Sequence, residues 1–421
     1  MRPKNILALL ATVSPLIAED VPITDTSLLA DSSSWRESDL LTGDWGGVRT
    51  SQEESGMTYF AYYSGILASN VLGGIESEGN FSGDLFVGVE FDLETLFGWD
   101  DTKFVLSGID RHGQSIDKGV GGQYSVMQNV GGQTAFLYNV TLEKLFFDES
   151  LSVKLGRMSA TDDFVGSPYY GYSLNNAVNG QIRAALFDGV MSSYPFAVWG
   201  GRVKQQVNEE LSVMVGVFNQ SPDIFDRGDQ GIDFGLEDED GLSIFTQVNW
   251  NPTFANRPAH FFAGVNQVVN YDIERFNTTA TRDEFTRLYA HADYQVYAET
   301  AGSDQGLVLF ATLGYTPYDD VAIIPIQTTF GAHYKGLFEG RDEDRTLFFA
   351  TYGQFSDEYA AEEALAGRSR PESEIVLELG HRFQLTPSTY IQPDIQYIIN
   401  PGGTGEIEDA LVLGCQFGAS F

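Results

Sequence analysis

The chain has 421 residues, with 45 glycines, 13% aromatic residues and a formal net charge of −35. That charge excludes a nucleic-acid binder, which needs a basic footprint, and the single cysteine, Cys415, excludes an intrachain disulfide or a cysteine-rich metal site. A mean hydropathy of −0.15 excludes a helical membrane protein but not a membrane β-barrel, whose strands turn only every second residue to lipid.

Residues 1–18 read as a secretory leader. Arg2 and Lys4 form the charged start, Ile6 to Ala18 the apolar stretch, and cleavage follows Ala18. The apolar run is shorter than the roughly 20 residues of a spanning helix, and nothing later reaches that length. Residues 19–40 form a polar, flexible lead-in, and residues 41–421 form one barrel domain. From Met57 onward the sequence alternates with period two. In the segment from Asp84 to Glu94, Leu85, Val87, Val89, Phe91 and Leu93 share one face, while Asp84, Glu90, Asp92 and Glu94 share the other. Successive strand side chains point to opposite faces, so one face is apolar and the other acidic.

Sixteen such segments are predicted as strands: 57–68, 83–95, 103–111, 134–146, 150–158, 177–187, 195–206, 210–219, 241–250, 259–267, 304–315, 326–337, 344–355, 373–385, 388–399 and 409–421. Their lengths suit tilted spanning strands of about 9–11 residues. Short turns (147–150, 385–388) alternate with long polar connections (113–133, 220–240, 266–304), and 357–370 suggests a short helix in one loop. The pattern predicts an all-β, transmembrane antiparallel barrel with short periplasmic turns and longer extracellular loops. The last segment places Leu411, Leu413, Cys415, Phe417, Ala419 and Phe421 on one face. A final strand ending in Phe resembles the assembly signal of bacterial outer-membrane barrels.

The element Leu41-Thr-Gly-Asp-Trp-Gly-Gly-Val-Arg49 resembles that of the carbohydrate-selective porin family (OprB-like). So do Leu155 to Ser159 with Asp162 to Phe164, Ser193 to Arg202, and above all Gln392-Pro-Asp-Ile-Gln-Tyr-Ile-Ile-Asn-Pro-Gly-Gly403. The resemblance spans Leu41 to Phe421. It implies a sixteen-stranded barrel of a Gram-negative outer membrane that admits mono- and oligosaccharides passively through a water-filled lumen. The implied partners are carbohydrates, outer-membrane lipid and lipopolysaccharide, and the barrel-assembly machinery acting through Phe421, with homo-oligomerisation left open. No enzyme activity, cofactor or metal is expected. The chain departs from the family in being very acidic, and segments 113–133 and 266–304 match no family pattern.

Sugar passage calls for polar groups that orient hydroxyls and aromatic faces that hold pyranose rings. Inward-facing candidates are Arg202 and Lys204, Glu90 and Asp92, Glu378 and Arg382, and Asp394 and Gln396. Opposed acidic and basic walls would set a transverse field across the lumen; equally, such charges pair across strands and stiffen the wall. In the family element, Gly43, Gly46 and Gly47 mark tight turns. Asp44, Trp45 and Arg49 therefore read as structural, with Asp44 able to pair with Arg49, and Trp199 reads as an interfacial girdle residue. Catalytic readings fail: the five histidines contain no pair at i, i+4, no G-x-S-x-G or phosphate loop occurs, and carboxylate pairs such as Asp162-Asp163 are abundant in an acidic chain. Residues 237–240 read as a solvated acidic run. Two further function classes stand beside the sugar porin: a general cation-preferring porin, motivated by the charge, and a secreted soluble sugar-binding β-protein or hydrolase.

Overall fold

The computed structural model describes residues 38–131, 133–184, 191–225, 228 and 230–421. The expected leader (1–18) and the lead-in (19–40) apart from its last three residues lie outside them. The strands are β1 (Met57–Gly74), β2 (Gly79–Asp92), β3 (Thr102–Gly113), β4 (Ala135–Phe146), β5 (Leu151–Met158), β6 (Val198–Gln206), β7 (Leu211–Gln220), β8 (Gly241–Trp250), β9 (Thr253–Phe254), β10 (Arg257–Glu274), β11 (Thr281–Ala298), β12 (Gly306–Tyr315), β13 (Ile326–Lys335), β14 (Arg345–Gln354), β15 (Ser373–Thr386), β16 (Thr389–Ile399) and β17 (Glu408–Ser420). Apart from the two-residue β9, each long strand pairs antiparallel with the next, and β17 pairs with β1. The sheet is therefore a closed meander of sixteen long strands with no free edge, the arrangement that satisfies every backbone group in a bilayer.

Alternation explains why these segments are strands. Along β17, Leu413 and Phe417 point outward and are exposed, while Val412 and Gln416 point inward and are buried. The same phase runs through Leu67, Val87, Val215, Leu313, Phe330 and Ile395, which build an apolar outer belt. Exposed aromatics edge it: Phe97, Trp99, Phe147, Trp250, Phe254 and Phe338 at the short-turn end, and Trp199, Tyr315, Tyr352 and Tyr397 at the long-loop end. Such girdles mark the two membrane interfaces. The predicted loop helix forms over Asp357–Leu365, capped by Ser356, whose hydroxyl oxygen accepts from the Glu358 and Tyr359 amides.

The family element before β1 closes the short-turn end. Gly43, Gly46 and Gly47 have φ of 58°, 70° and 94°, left-handed values that favour glycine. The Leu41 amide donates to the Ser420 carbonyl at 2.8 Å and the Phe421 amide to that of Ala61 at 2.9 Å, so this element and the last strand meet. Asp44 does not pair with Arg49 among the described residues. Its carboxylate accepts from the Thr50 amide and hydroxyl, both at 2.8 Å, while the Arg49 guanidinium stacks over Trp45 at 4.4 Å.

Two strand assignments need correction, and they cancel in the count. Residues 177–184 of the predicted strand 177–187 form turns rather than a strand, and the rest of it lies outside the described residues. Conversely, the connection expected at 266–304 holds the end of β10 and the whole of β11. In β11 the inward residues Phe285, Tyr289 and His291 are bulky while the outward Ala290 and Ala292 are small, so the apolar signal is split between two faces and fades.

Candidate functional site

The described residues of two long connections on the loop side, 114–134 and 159–197, fold back into the barrel. The second crosses the bore, because its residues bond to inward side chains on the far wall. The Val165 amide donates to Gln247 on β8 at 3.1 Å. The Tyr170 hydroxyl lies 2.8 Å from Nδ1 of His291 on β11. The Leu174 and Asn175 amides and the Ser173 hydroxyl all donate to the Glu378 carboxyl on β15. Gln327 on β13 brackets a turn of the loop, donating to the Ala177 carbonyl and accepting from the Ala184 amide, each at 2.7 Å. Loop 114–134 is held likewise: Glu374 on β15 accepts from the amides of Gln123 (2.8 Å), Tyr124 (3.2 Å) and Gly402 (2.6 Å). Polar side chains on the inner wall thus satisfy loop backbone that would otherwise be buried without partners. Apolar loop residues Phe164, Val165, Ile182 and Met191 pack against Met214, Phe218 and Phe245 of the wall, filling one side of the bore.

Between the two loops lies a cavity of about 270 Å³. Its lining is amide-rich, with Gln128, Asn176, Asn179 and Gln181, and carries two guanidiniums, Arg111 and Arg183, beside the rings of Tyr194 and Phe196. Arg111, inward on β3, is fixed by Asp84 at 2.6 Å and by the Val130 and Gly131 carbonyls. Asp84 also accepts from the Tyr194 hydroxyl at 2.6 Å, and Arg111 lies 4.9 Å from the Tyr194 ring centre. Burial pushes the Arg183 guanidinium down to about 10, with the charge of Arg111 acting in the same direction and Asp117 against it; it stays cationic at neutral pH. A second cavity, about 110 Å³, shares Phe196 with the first and is lined by Asp223, Asp233, Glu237 and Asp240 together with Arg157.

The sequence-predicted residues take other places. Arg202 is buried and bonds to Asp163 at 3.0 Å and Glu143 at 2.8 Å, with Lys154 completing the cluster on Asp163 at 3.1 Å. Lys204 lies two residues on, half-buried on the same face. Glu90 pairs with Lys103 at 2.7 Å, and Asp92 caps the helix Leu93–Phe97 by accepting from the Glu94 amide. Glu378, Asp394 and Gln396 are brought together and nearly fully buried; Gln396 donates to the Val126 carbonyl and accepts from Asn175, so Glu378 and Gln396 hold loops. Arg382 lies between the rings of Tyr172 (4.5 Å) and Tyr390 (3.9 Å) and donates to Gln392 and Gln416. Asp162 accepts from Tyr138, and with Asp163 ion-paired neither member of that carboxylate pair is free for glycosidase chemistry. Asp240 closes a turn by accepting from the Glu237 amide and Asn219.

The cavity residues Arg111, Gln128, Asn176, Asn179, Gln181, Arg183, Tyr194 and Phe196 escaped sequence reasoning. All but Arg111 lie in loops, and Asn179, Gln181, Arg183 and Phe196 fall in segments that sequence alternation assigns to strands. The one signal available was the excess of Asn and Gln over 123–133 and 175–181.

A family model described as carbohydrate-selective porin, OprB family, matches residues 78–421. Porin B of Pseudomonas aeruginosa is 26% identical over 418 residues, covering 90% of this chain and 91% of that protein. The high-pH structure of Pseudomonas putida OprB superposes with a TM-score of 0.86 at 25% identity, over 92% of this chain and 99% of that one. The low-pH structure of the same protein superposes with a TM-score of 0.61 at 20% identity, over 92% and 99%, a likeness of fold.

Proposed function

The chain belongs to the carbohydrate-selective porin family, OprB, and from that premise we propose that sugars are selected at the cavity between loops 114–134 and 159–197. The protein is a porin of the Gram-negative outer membrane that conducts carbohydrates. The observation that carries the finer reading is the lining of that cavity: four amide side chains, two arginines and three aromatic rings, Tyr194, Phe196 and Phe225. Amides and guanidiniums supply paired donors and acceptors for vicinal hydroxyls, and a ring face accepts the apolar face of a pyranose. Passage is passive, with no catalytic step. Outer-membrane lipid and lipopolysaccharide contact the apolar belt, and Phe421, at the end of the closing strand, serves the assembly machinery. Single-channel recordings with added sugar test the site. Arg183→Ala is expected to weaken sugar block about tenfold or more, the loss of a hydrogen bond to a charged group being about 1.5–3 kcal/mol. Block unchanged in Arg183→Ala and in Asn179→Ala would remove the site from this cavity.

A second reading, cation preference, is favoured by Asp223, Asp233, Glu237 and Asp240, gathered on the loop-side connection between β7 and β8, since a cleft of one sign concentrates counter-ions. Reversal potentials in a salt gradient decide between them: strong cation selectivity without sugar block supports this version and argues against the first.

A further inference from the structure

On the inner wall, the pairing of β10 with β11 brings His260 to His291 and Asp293, which the sequence places on the following strand. His260 stands opposite Asp293 in the β10–β11 register, and His291 precedes Asp293 by two residues and so shares its face. Asp293 Oδ2 lies 2.8 Å from His291 Nε2 and 3.3 Å from His260 Nδ1, and the three ligand atoms all lie within 4.8 Å of one another. We propose that His260, His291 and Asp293 form a binding site for a divalent transition cation of the zinc type.

The chemistry fits that class. Two neutral imidazoles and one carboxylate suit zinc, cobalt, nickel or copper, whereas calcium and magnesium prefer all-oxygen sets. A cation with ligand bonds of about 2.0–2.2 Å holds its ligand atoms roughly 3–3.6 Å apart. The His260–Asp293 pair, at 3.3 Å, already matches that spacing and the His291–Asp293 pair, at 2.8 Å, falls just short of it, so small side-chain shifts would seat the ion. His260 is also the most exposed of the three, with 24% of its side chain accessible against 0% for His291 and 8% for Asp293, which leaves an approach for the ion and a coordination position for water.

The surroundings are those of a ligand held in place. His291 turns its second nitrogen, Nδ1, to the Tyr170 hydroxyl at 2.8 Å; once Nε2 holds a metal, Nδ1 carries the proton and donates to that oxygen, the usual second partner of a metal-bound imidazole. Its ring is stacked on Phe262 at 5.0 Å and meets the edge of Tyr170 at 5.3 Å, so it cannot rotate freely. Independently, Thr312 stands opposite His291 on β12, 7% exposed, and its hydroxyl has no hydrogen-bond partner among the described residues. A metal-bound water would give it one. Because Tyr170 belongs to the loop that crosses the bore, the cation would also tie that loop to the wall.

The test is a Co2+ titration of the chelator-stripped, folded full-length barrel in detergent, read by the visible bands of four- or five-coordinate cobalt, with competition by Zn2+ and Ca2+. The expected result is saturation at one ion per barrel, displaced by Zn2+ and not by Ca2+. Binding should weaken at least tenfold in His260→Ala and Asp293→Asn, and about tenfold in Tyr170→Phe, as loss of an outer-shell partner usually does. His112→Ala and His381→Ala, at other walls, should bind as the parent does. Heat-dependent gel mobility confirms that each variant is folded, and His260→Ala, the most exposed site, serves if the buried variants fail to fold. No saturable binding, equal binding by His260→Ala and parent, or displacement by Ca2+ in preference to Zn2+ would overturn the proposal.

Discussion

Replacing Glu378 with alanine should loosen the loop that crosses the bore while leaving the barrel closed. The carboxyl accepts from the Leu174 amide at 2.5 Å, the Asn175 amide at 3.3 Å and the Ser173 hydroxyl, and it is 1% exposed. Ser173 retains a bond to the Asn175 carbonyl at 2.9 Å, so two backbone donors are left without partners. At about 1–3 kcal/mol for each buried group, the docked loop loses roughly 2–6 kcal/mol. A loss of about 3 kcal/mol raises the undocked population about a hundredfold. Contacts at Gln327, Gln392 and Gln396 persist, so intermittent release is expected rather than permanent loss. The barrel ladder is untouched, because the Glu378 backbone still pairs with Phe349 and Gln396. Planar-bilayer recordings should show larger, flickering conductance steps from protein that keeps its folded gel mobility. Quiet channels of parental conductance from a folded Glu378→Ala barrel would refute the view that this carboxyl anchors the loop.

Arg111→Met should destabilise the barrel by about 3–5 kcal/mol, because it strands the buried Asp84; the double variant with Asp84→Leu should recover most of that in thermal unfolding, and failure to recover would count against a lost ion pair as the cause. Asp162, in the loop after β5, has its carboxyl pushed up to about 6 by burial, against the hydrogen bond from Tyr138. The folded state therefore binds this proton more tightly than the unfolded chain, and stability should rise as pH falls from about 6 toward 4 and be lost as pH rises through 6. Thermal midpoints measured across that window should flatten in Asp162→Asn; an unchanged slope would assign the pH dependence to another group. Leu313→Arg, on the outer belt with Leu313 44% exposed, should cost about 2–4 kcal/mol on refolding into vesicles, whereas the same change at a loop tip such as Leu365, 81% exposed, should cost little.

The barrel was legible in the sequence because its cause is local. Every lipid-facing position must be apolar whatever surrounds it, so Leu85, Val87 and Val89 or Leu411, Leu413 and Phe417 announce both strand and phase. Where the inward face is also bulky and the outward face small, as around Tyr289 and His291, the contrast vanishes and the sequence of β11 reads as a loop. The opposite error at 177–187 has the same root: Ala177, Val178 and Ile182 are apolar because they fill the bore, not because they face lipid. The chosen inward charges faced the lumen, but burial and partner choice depend on which loop descends onto them, and that is set by contacts 200 residues and more apart, such as Leu174 with Glu378. By itself the sequence determined a membrane barrel, its outward face and its family. The cavity between the two infolded loops, the pairing of Arg111 with Asp84 beside Arg183, and the meeting of His260 with His291 and Asp293 were decided only when the sheet closed and the loops folded into it, because each depends on register between strands and on backbone donors that carry no sequence mark.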